Sequence, residues 1–416
     1  MRDQDDMRNY ALVTGAYWAN TVADGASRML VLFYFYELGY SPLKVALLFV
    51  FYEVFGVITN LVGGFIAARF GLRTTLIGGL CTQLVALGML AVAPASLLTV
   101  AYVMVAQALS GIAKDLTKMS SKSAVKLVVP DDAPGALYKW VAILTGSKNA
   151  LKGVGFFLGA LGLSVVGFRT SLALLAALVG SALVAVLTMH GELGRPDAKA
   201  KFRQMFSHNR AVNLLAAARL FLFASRDVWF VVGLPVFFRT EHGWSFYEAG
   251  GFLAIWTISY GIVQASAPRL LRRRSAHGTD PDGTTATRLA FALAGFPALI
   301  AIAISTHVSP VVSVVIGLLV FGVIFAMNSA VHSYLILAYA DGDKVAMNVG
   351  FYYMANAGGR LAGTILSGAL YQWQGLQACL WASVAFVLAA GLLSRMMPSS
   401  ASGKTPITTR RSLATG

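Results

Sequence analysis

The chain has 416 residues, 57% of them hydrophobic and only 12% charged, with a mean hydropathy of +0.68. That balance excludes a soluble globular protein of this length. The net charge of +15 does not mark a nucleic-acid binder, because Lys and Arg lie between and inside apolar runs instead of forming one basic face. Cys81 and Cys379 stand in separate apolar runs without disulfide or metal-ligand spacing, and both read as small buried hydrophobes.

A membrane-spanning helix needs roughly 20 apolar residues, so the chain has room for about a dozen. The N-terminal MRDQDDMRNY leads into a run too long for a signal-peptide core and is expected to stay attached. Apolar runs broken by Gly, Pro and charge then predict spans near 10–36, 43–67, 74–93, 97–119, 138–166 and 170–189. A polar, basic stretch, 190–210, follows. Six more spans are predicted near 211–238, 246–268, 289–306, 311–340, 347–370 and 375–396, before a Ser/Thr-rich tail, 397–416, that reads as disordered. The expected organisation is an all-α membrane protein with one six-helix half over 1–189 and a second over 211–396, around a central cavity.

Basic residues test the topology. Arg195, Lys199, Lys201, Arg203 and Arg210 lie in the central stretch, and Arg269, Arg272, Arg273, Arg274 and Arg288 follow the eighth span, against Lys44, Arg169 and Arg239 on the opposite side. The positive-inside rule then puts both termini and the central stretch in the cytoplasm.

Charges also fall inside the predicted spans: Asp24 and Arg28, Glu53, Lys114, Asp115 and Lys118, Lys139, Lys148 and Lys152, Arg219, Arg226 and Asp227, Glu248 at the start of the eighth, and Arg360. Spans three, six, nine and twelve have none, which predicts that every third helix faces lipid. A charge at the bilayer centre costs roughly 2.5–3.5 kcal/mol, so about eight facing lipid would cost on the order of 20 kcal/mol. They are therefore expected to face each other or a water-filled cavity between the halves, as alternating access requires.

Helical spacing groups them. Asp24 and Arg28, four apart, can neutralise each other, as a structural pair or as part of a coupling site. Lys148 and Lys152 are also four apart with no acid in their span, which favours substrate binding. Arg219 and Arg226 are seven apart, and their guanidinium forks, like that of Arg360, suit phosphate, carboxylate and arsenate-like oxygens. Tyr352, Asn356 and Arg360 form a polar stripe, as do Trp256, Tyr260 and Gln264, and Asn328 is expected to pair with His332. Arg28, Lys148, Lys152, Arg219, Arg226, Gln264, Tyr352, Asn356 and Arg360 are thus the candidate binders of a small anion. Asp24, Glu53 and Asp227 are candidate proton carriers, Glu53 having the simpler alternative of pairing with a basic residue on a neighbouring helix. Lys114, Lys118, Lys122 and Lys126 repeat every four residues, either as a solvated helix end attracted to anionic membrane lipid or, with Lys114 and Lys118 deepest, as an entry funnel. There is no nucleotide-binding loop, no metal cluster and no His or Cys beside His332, so neither cofactor nor enzymatic activity is expected.

After the second span, Gly64-Phe65-Ile66-Ala67-Ala68-Arg69-Phe70-Gly71-Leu72-Arg73 resembles the loop signature of the major facilitator superfamily, Gly-x-x-x-Asp-Arg-x-Gly-Arg-Arg, with Gly64, Arg69, Gly71 and Arg73 as its gating residues. Ala68 replaces the usual Asp and Leu72 a usual basic residue. The blocks 9–42 (NYALVTGAYWANTVADGASRMLVLFYFYELGYSP), 107–130 (QALSGIAKDLTKMSSKSAVKLVVP) and 140–163 (WVAILTGSKNALKGVGFFLGALGL) resemble the ArsJ family of organoarsenical efflux permeases within that superfamily. The resemblance implies a bacterial inner-membrane exporter of 1-arseno-3-phosphoglycerate, which glyceraldehyde-3-phosphate dehydrogenase makes from arsenate, and hence arsenate resistance. Proton antiport is the expected drive. A major facilitator exchanger of organophosphates, phosphate or other small organic anions is the alternative that uses the same residues.

Overall fold

The protein is described by a computed structural model covering residues 2–124, 134–189, 209–274, 281–339 and 345–397. Most of the central basic stretch, the tail beyond Met397, Lys126, and the side chains of Gly64, Arg69, Lys122 and Lys139 lie outside the described residues.

Among the described residues there is no strand. The helices are α1 (Arg2–Glu37), α2 (Pro42–Leu48), α3 (Val50–Phe70), α4 (Leu72–Val92), α5 (Val100–Ala124), α6 (Pro134–Val165), α7 (Phe168–Leu187), α8 (Arg210–Phe230), α9 (Gly233–Thr240), α10 (Phe246–Arg274), α11 (Gly283–Ser305), α12 (Pro310–Tyr339) and α13 (Val345–Arg395). Three predicted features are resolved more finely. The second span is α2 and α3 together, started by Ser41 as N-cap and Pro42 in the first turn. The seventh is α8 and α9, interrupted at Val231 and Val232, where the backbone N–H groups of Val232 and Gly233 donate to Ser367 Oγ at 3.2 and 3.0 Å. The last two spans are the arms of α13, separated at Gln374 and Gly375, where Gly375 has φ 66°. In a bilayer a broken helix is tolerated only when its freed backbone groups are satisfied within the protein, which is the part Ser367 plays.

Burial follows the spared-helix expectation only partly. The most apolar windows of α7 and α11 are 28% and 33% buried, against 83% for the α8–α9 span, but α12 is also only 33% buried. Cys81 is exposed on α4, contrary to the sequence reading, while Cys379 is buried.

Small residues set the closest approaches. Without a hydrophobic drive between helices in lipid, packing at short range favours residues that let backbones touch. A Cβ on Gly25 of α1 would lie 2.7 Å from the Lys152 carbonyl oxygen and 3.3 Å from Gly155 of α6. A Cβ on Gly363 of α13 would lie 2.7 Å from Asp227 Cβ and 3.0 Å from the Ala224 carbonyl oxygen of α8. These two seams bring charged residues of different helices into contact.

Candidate functional site

A cavity of about 180 Å³ lies between helices from both parts of the chain. Its walls come from α1, α3, α5, α6, α8, α10, α12 and α13. Eight cations line it: Arg28, Lys114, Lys118, Lys148, Lys152, Arg219, Arg226 and Arg360. Asp24, Asp115 and Asp227 also line it, and Glu53 stands directly behind, fully buried. Eight cations against four carboxylates leave four surplus positive charges among the described residues.

The pairings cross between helices. Asp24 does not pair with Arg28 along α1, as the four-residue spacing predicted; its Oδ2 lies 3.3 Å from Lys152 Nζ and its Oδ1 accepts from Tyr52 at 2.7 Å. The acid missing from the span of Lys152 is thus supplied by α1. Arg28 instead donates to Glu53 Oε1 at 3.1 Å, and Arg360 donates to the same oxygen at 2.6 Å. Arg360 Nε lies 3.6 Å from Asp227 Oδ2, and Arg226 Nε donates to its sequence neighbour Asp227 at Oδ1, 2.6 Å away. The ion chain Arg28, Glu53, Arg360, Asp227, Arg226 runs continuously from α1 to α8.

On α5, Lys118 donates to Asp115 at 2.6 Å and to Asn60 at 2.5 Å, Lys114 lies 3.8 Å from Asp115, and Thr59 donates to Asp115 at 2.9 Å. Lys114 and Lys118 are therefore cavity walls bound to an acid, with side chains 13% and 12% exposed, and not part of a solvated helix end.

Arg219 differs from the other arginines. It is 4% exposed, and all its hydrogen bonds are to neutral acceptors: Nε to Asn356 Oδ1 at 3.0 Å, and Nη1 to the Ser329 carbonyl at 3.0 Å and hydroxyl at 2.9 Å. Phe223 and Tyr352 cover its faces at 4.1 and 5.1 Å. Ser329 also bonds Gln264 Nε2 at 3.2 Å, and Gln264 Oε1 accepts from Asn149 of α6 at 2.9 Å. Tyr260, stacked on Trp256 at 5.8 Å, completes this wall.

Other sequence candidates are placed differently. Tyr352 is fully buried beneath Arg219, and its neighbour Tyr353 lines the cavity in its stead. Asn328 and His332 do not bond each other; both are fully buried, and their side-chain polar atoms have no hydrogen-bond partner among the described residues. In the loop signature, Gly71 has φ 81° as N-cap of α4, which explains the glycine, and Arg73 donates to the Leu187 carbonyl at 3.3 Å, away from the cavity. Sequence reading missed Tyr17, Thr21, Asn60, Asn149 and Tyr353 as cavity residues. They are uncharged and carry no hydropathy signal, and among them only Tyr17 and Thr21 share a four-residue step.

A bundle of apolar helices wrapped around a charged interior cavity is the architecture of a polytopic membrane transporter. The chain belongs to the Major Facilitator Superfamily, whose family model matches residues 13–336. The crystal structure of the human organic anion transporter MFSD10 (TETRAN) aligns over 94% of this chain and 99% of that one, with a TM-score of 0.66 and 16% identity. The crystal structure of a D-xylose-proton symporter aligns over 96% and 99%, with a TM-score of 0.72 and 15% identity. At these identities the likeness is one of fold. No curated protein sequence matches the chain. The expected all-α major facilitator fold is thus the observed one.

Proposed function

We propose that the protein is a secondary transporter of a small organic anion carrying several negative charges. The observation that carries this reading is the four-charge surplus of the cavity. A surplus of four positive charges among the described residues, held inside a membrane, would cost on the order of 10 kcal/mol, comparable to a whole folding free energy, whereas a polyanion bound among them turns that cost into attraction. The halves over 1–189 and 211–396 would rock about this site, with both termini in the cytoplasm of a bacterial inner membrane.

The finer reading rests on the three sequence blocks that resemble organoarsenical efflux permeases. On it, the cargo is 1-arseno-3-phosphoglycerate, supplied by glyceraldehyde-3-phosphate dehydrogenase and moved outward, and the drive is proton antiport through Asp24, Glu53 or Asp227. A phosphate and an arsenate on one short chain match the cavity's charge. Phosphate and arsenate oxyanions are alike in charge and shape, so an ordinary organophosphate exchanger would fit the same cavity.

Everted vesicles containing the protein distinguish the two readings. Uptake that requires arsenate, glyceraldehyde 3-phosphate and the dehydrogenase together, and that is lost in Arg360→Ala, supports the organoarsenical. Uptake of 3-phosphoglycerate or inorganic phosphate without the arsenate product assigns the exchanger. No uptake of any anion overturns both.

A further inference from the structure

Glu53 occupies an anion position that it fills poorly. One oxygen, Oε1, accepts from Arg28 and Arg360 at 3.1 and 2.6 Å, while Oε2 is buried with no hydrogen-bond partner among the described residues. Two guanidinium forks converging on a single carboxylate oxygen leave donors idle that a tetrahedral oxyanion, with three or more acceptor oxygens, would use. The carboxylate is held there because two buried arginines without a counter-charge would be costlier than an imperfect one.

A second anion position stands open. Arg219 spends Nε and Nη1 on neutral acceptors, and its remaining amino group, Nη2, has no hydrogen bond among the described residues although the side chain lines the cavity. Asn356, which holds Arg219, and Arg360 are one turn apart on α13, about 6 Å along the axis. The two anion positions are thus held by adjacent turns of one helix and line one cavity.

We propose that Glu53 is a resident counter-anion that selects the substrate. An anion with two oxyanion groups is carried because one group docks on Arg219 while the other replaces Glu53 on Arg28 and Arg360. A single oxyanion docks on Arg219 and leaves Glu53 seated. Displacement also has a mechanical result: the Glu53–Arg360 contact joins α3 to α13. Farther along α13 the same two sets of helices close on each other, where a Cβ on Gly368 would lie 2.6 Å from the Pro42 carbonyl oxygen. Freed of its charge link, that closure can open. This inference rests on the anion-transport reading above and names the substrate class of the same cavity.

Counterflow in proteoliposomes containing the full chain tests it, with radiolabelled 3-phosphoglycerate as the two-headed probe and inorganic phosphate as the single oxyanion. In the unaltered protein, phosphate is expected to inhibit 3-phosphoglycerate counterflow without being exchanged itself. In Glu53→Gln, which keeps the shape and removes the charge, phosphate exchange is expected to rise about tenfold relative to 3-phosphoglycerate, the scale of one charge-assisted contact. Glu53→Asp is expected to restore the discrimination, and Arg219→Lys to raise the KM for 3-phosphoglycerate about tenfold with kcat little changed. Equal exchange of both anions by the unaltered protein overturns the inference while leaving anion transport intact, as does an unchanged ratio in a Glu53→Gln protein that still carries 3-phosphoglycerate. If neither anion is carried or inhibits, this inference falls; the anion-transport reading falls with it only if the product made from arsenate and glyceraldehyde 3-phosphate is not taken up either.

Discussion

Lys152 and Asp24 meet at 3.3 Å across the seam between α1 and α6, at the level where Gly25 and Gly155 bring the two backbones together. Removing one member of a buried pair strands the other charge, at a cost of roughly 3–5 kcal/mol. Asp24→Asn is therefore expected to lower the unfolding midpoint in detergent sharply, and Asp24→Asn with Lys152→Gln to recover part of the loss. A double variant no more stable than the single one would show that the pair does not set the stability of this seam.

The seam between α8 and α13 makes a steric prediction. Gly363 faces Asp227 so closely that any side chain would push the helices apart. Gly363→Val is expected to cost about 1–3 kcal/mol or more through overpacking and to separate Arg360 from Asp227. Transport should fall together with thermal stability. Wild-type stability in that variant would mean the seam is looser than described.

Two adjacent tyrosines should respond differently. Tyr352 is fully buried over Arg219, whereas Tyr353 lines the cavity. Tyr352→Phe keeps the ring that covers Arg219, so the transport KM is expected to stay within about a factor of two, well under the tenfold scale of a lost charge-assisted contact. A tenfold rise measured by uptake kinetics would place the Tyr352 hydroxyl in substrate contact.

Ser367 holds the break between α8 and α9 by accepting from two buried N–H groups. Ser367→Ala leaves both without that partner, at a cost on the order of 2 kcal/mol. Thermal unfolding in detergent reads it; a loss indistinguishable from zero would mean that other groups satisfy the break.

The number, order and approximate ends of the spans were legible in the sequence because hydropathy is local and additive. A run such as 168–187 needs no knowledge of its neighbours to be recognised. The charges within the spans were equally legible, and with them the need for a polar interior. The division at Gln374 and Gly375 falls at the predicted boundary between 347–370 and 375–396, whereas the break at Val232 was not read, although Pro235 follows it, because the groups that stabilise it lie on a distant helix.

Which charge meets which was decided only by the tertiary structure. Spacing along one helix paired Asp24 with Arg28, but the fold gives Asp24 to Lys152 and Arg28 to Glu53. A four-residue step places two side chains on one face without saying what approaches that face. In a low-dielectric interior, energy depends steeply on the separation and number of partners, and those are set where glycines let particular helices touch. The sequence by itself determined that this chain spans a membrane and must hide an excess of positive charge. The packing of α1 on α6 and α8 on α13 decided that the excess gathers around one cavity, with Glu53 between Arg28 and Arg360 and one edge of Arg219 left open.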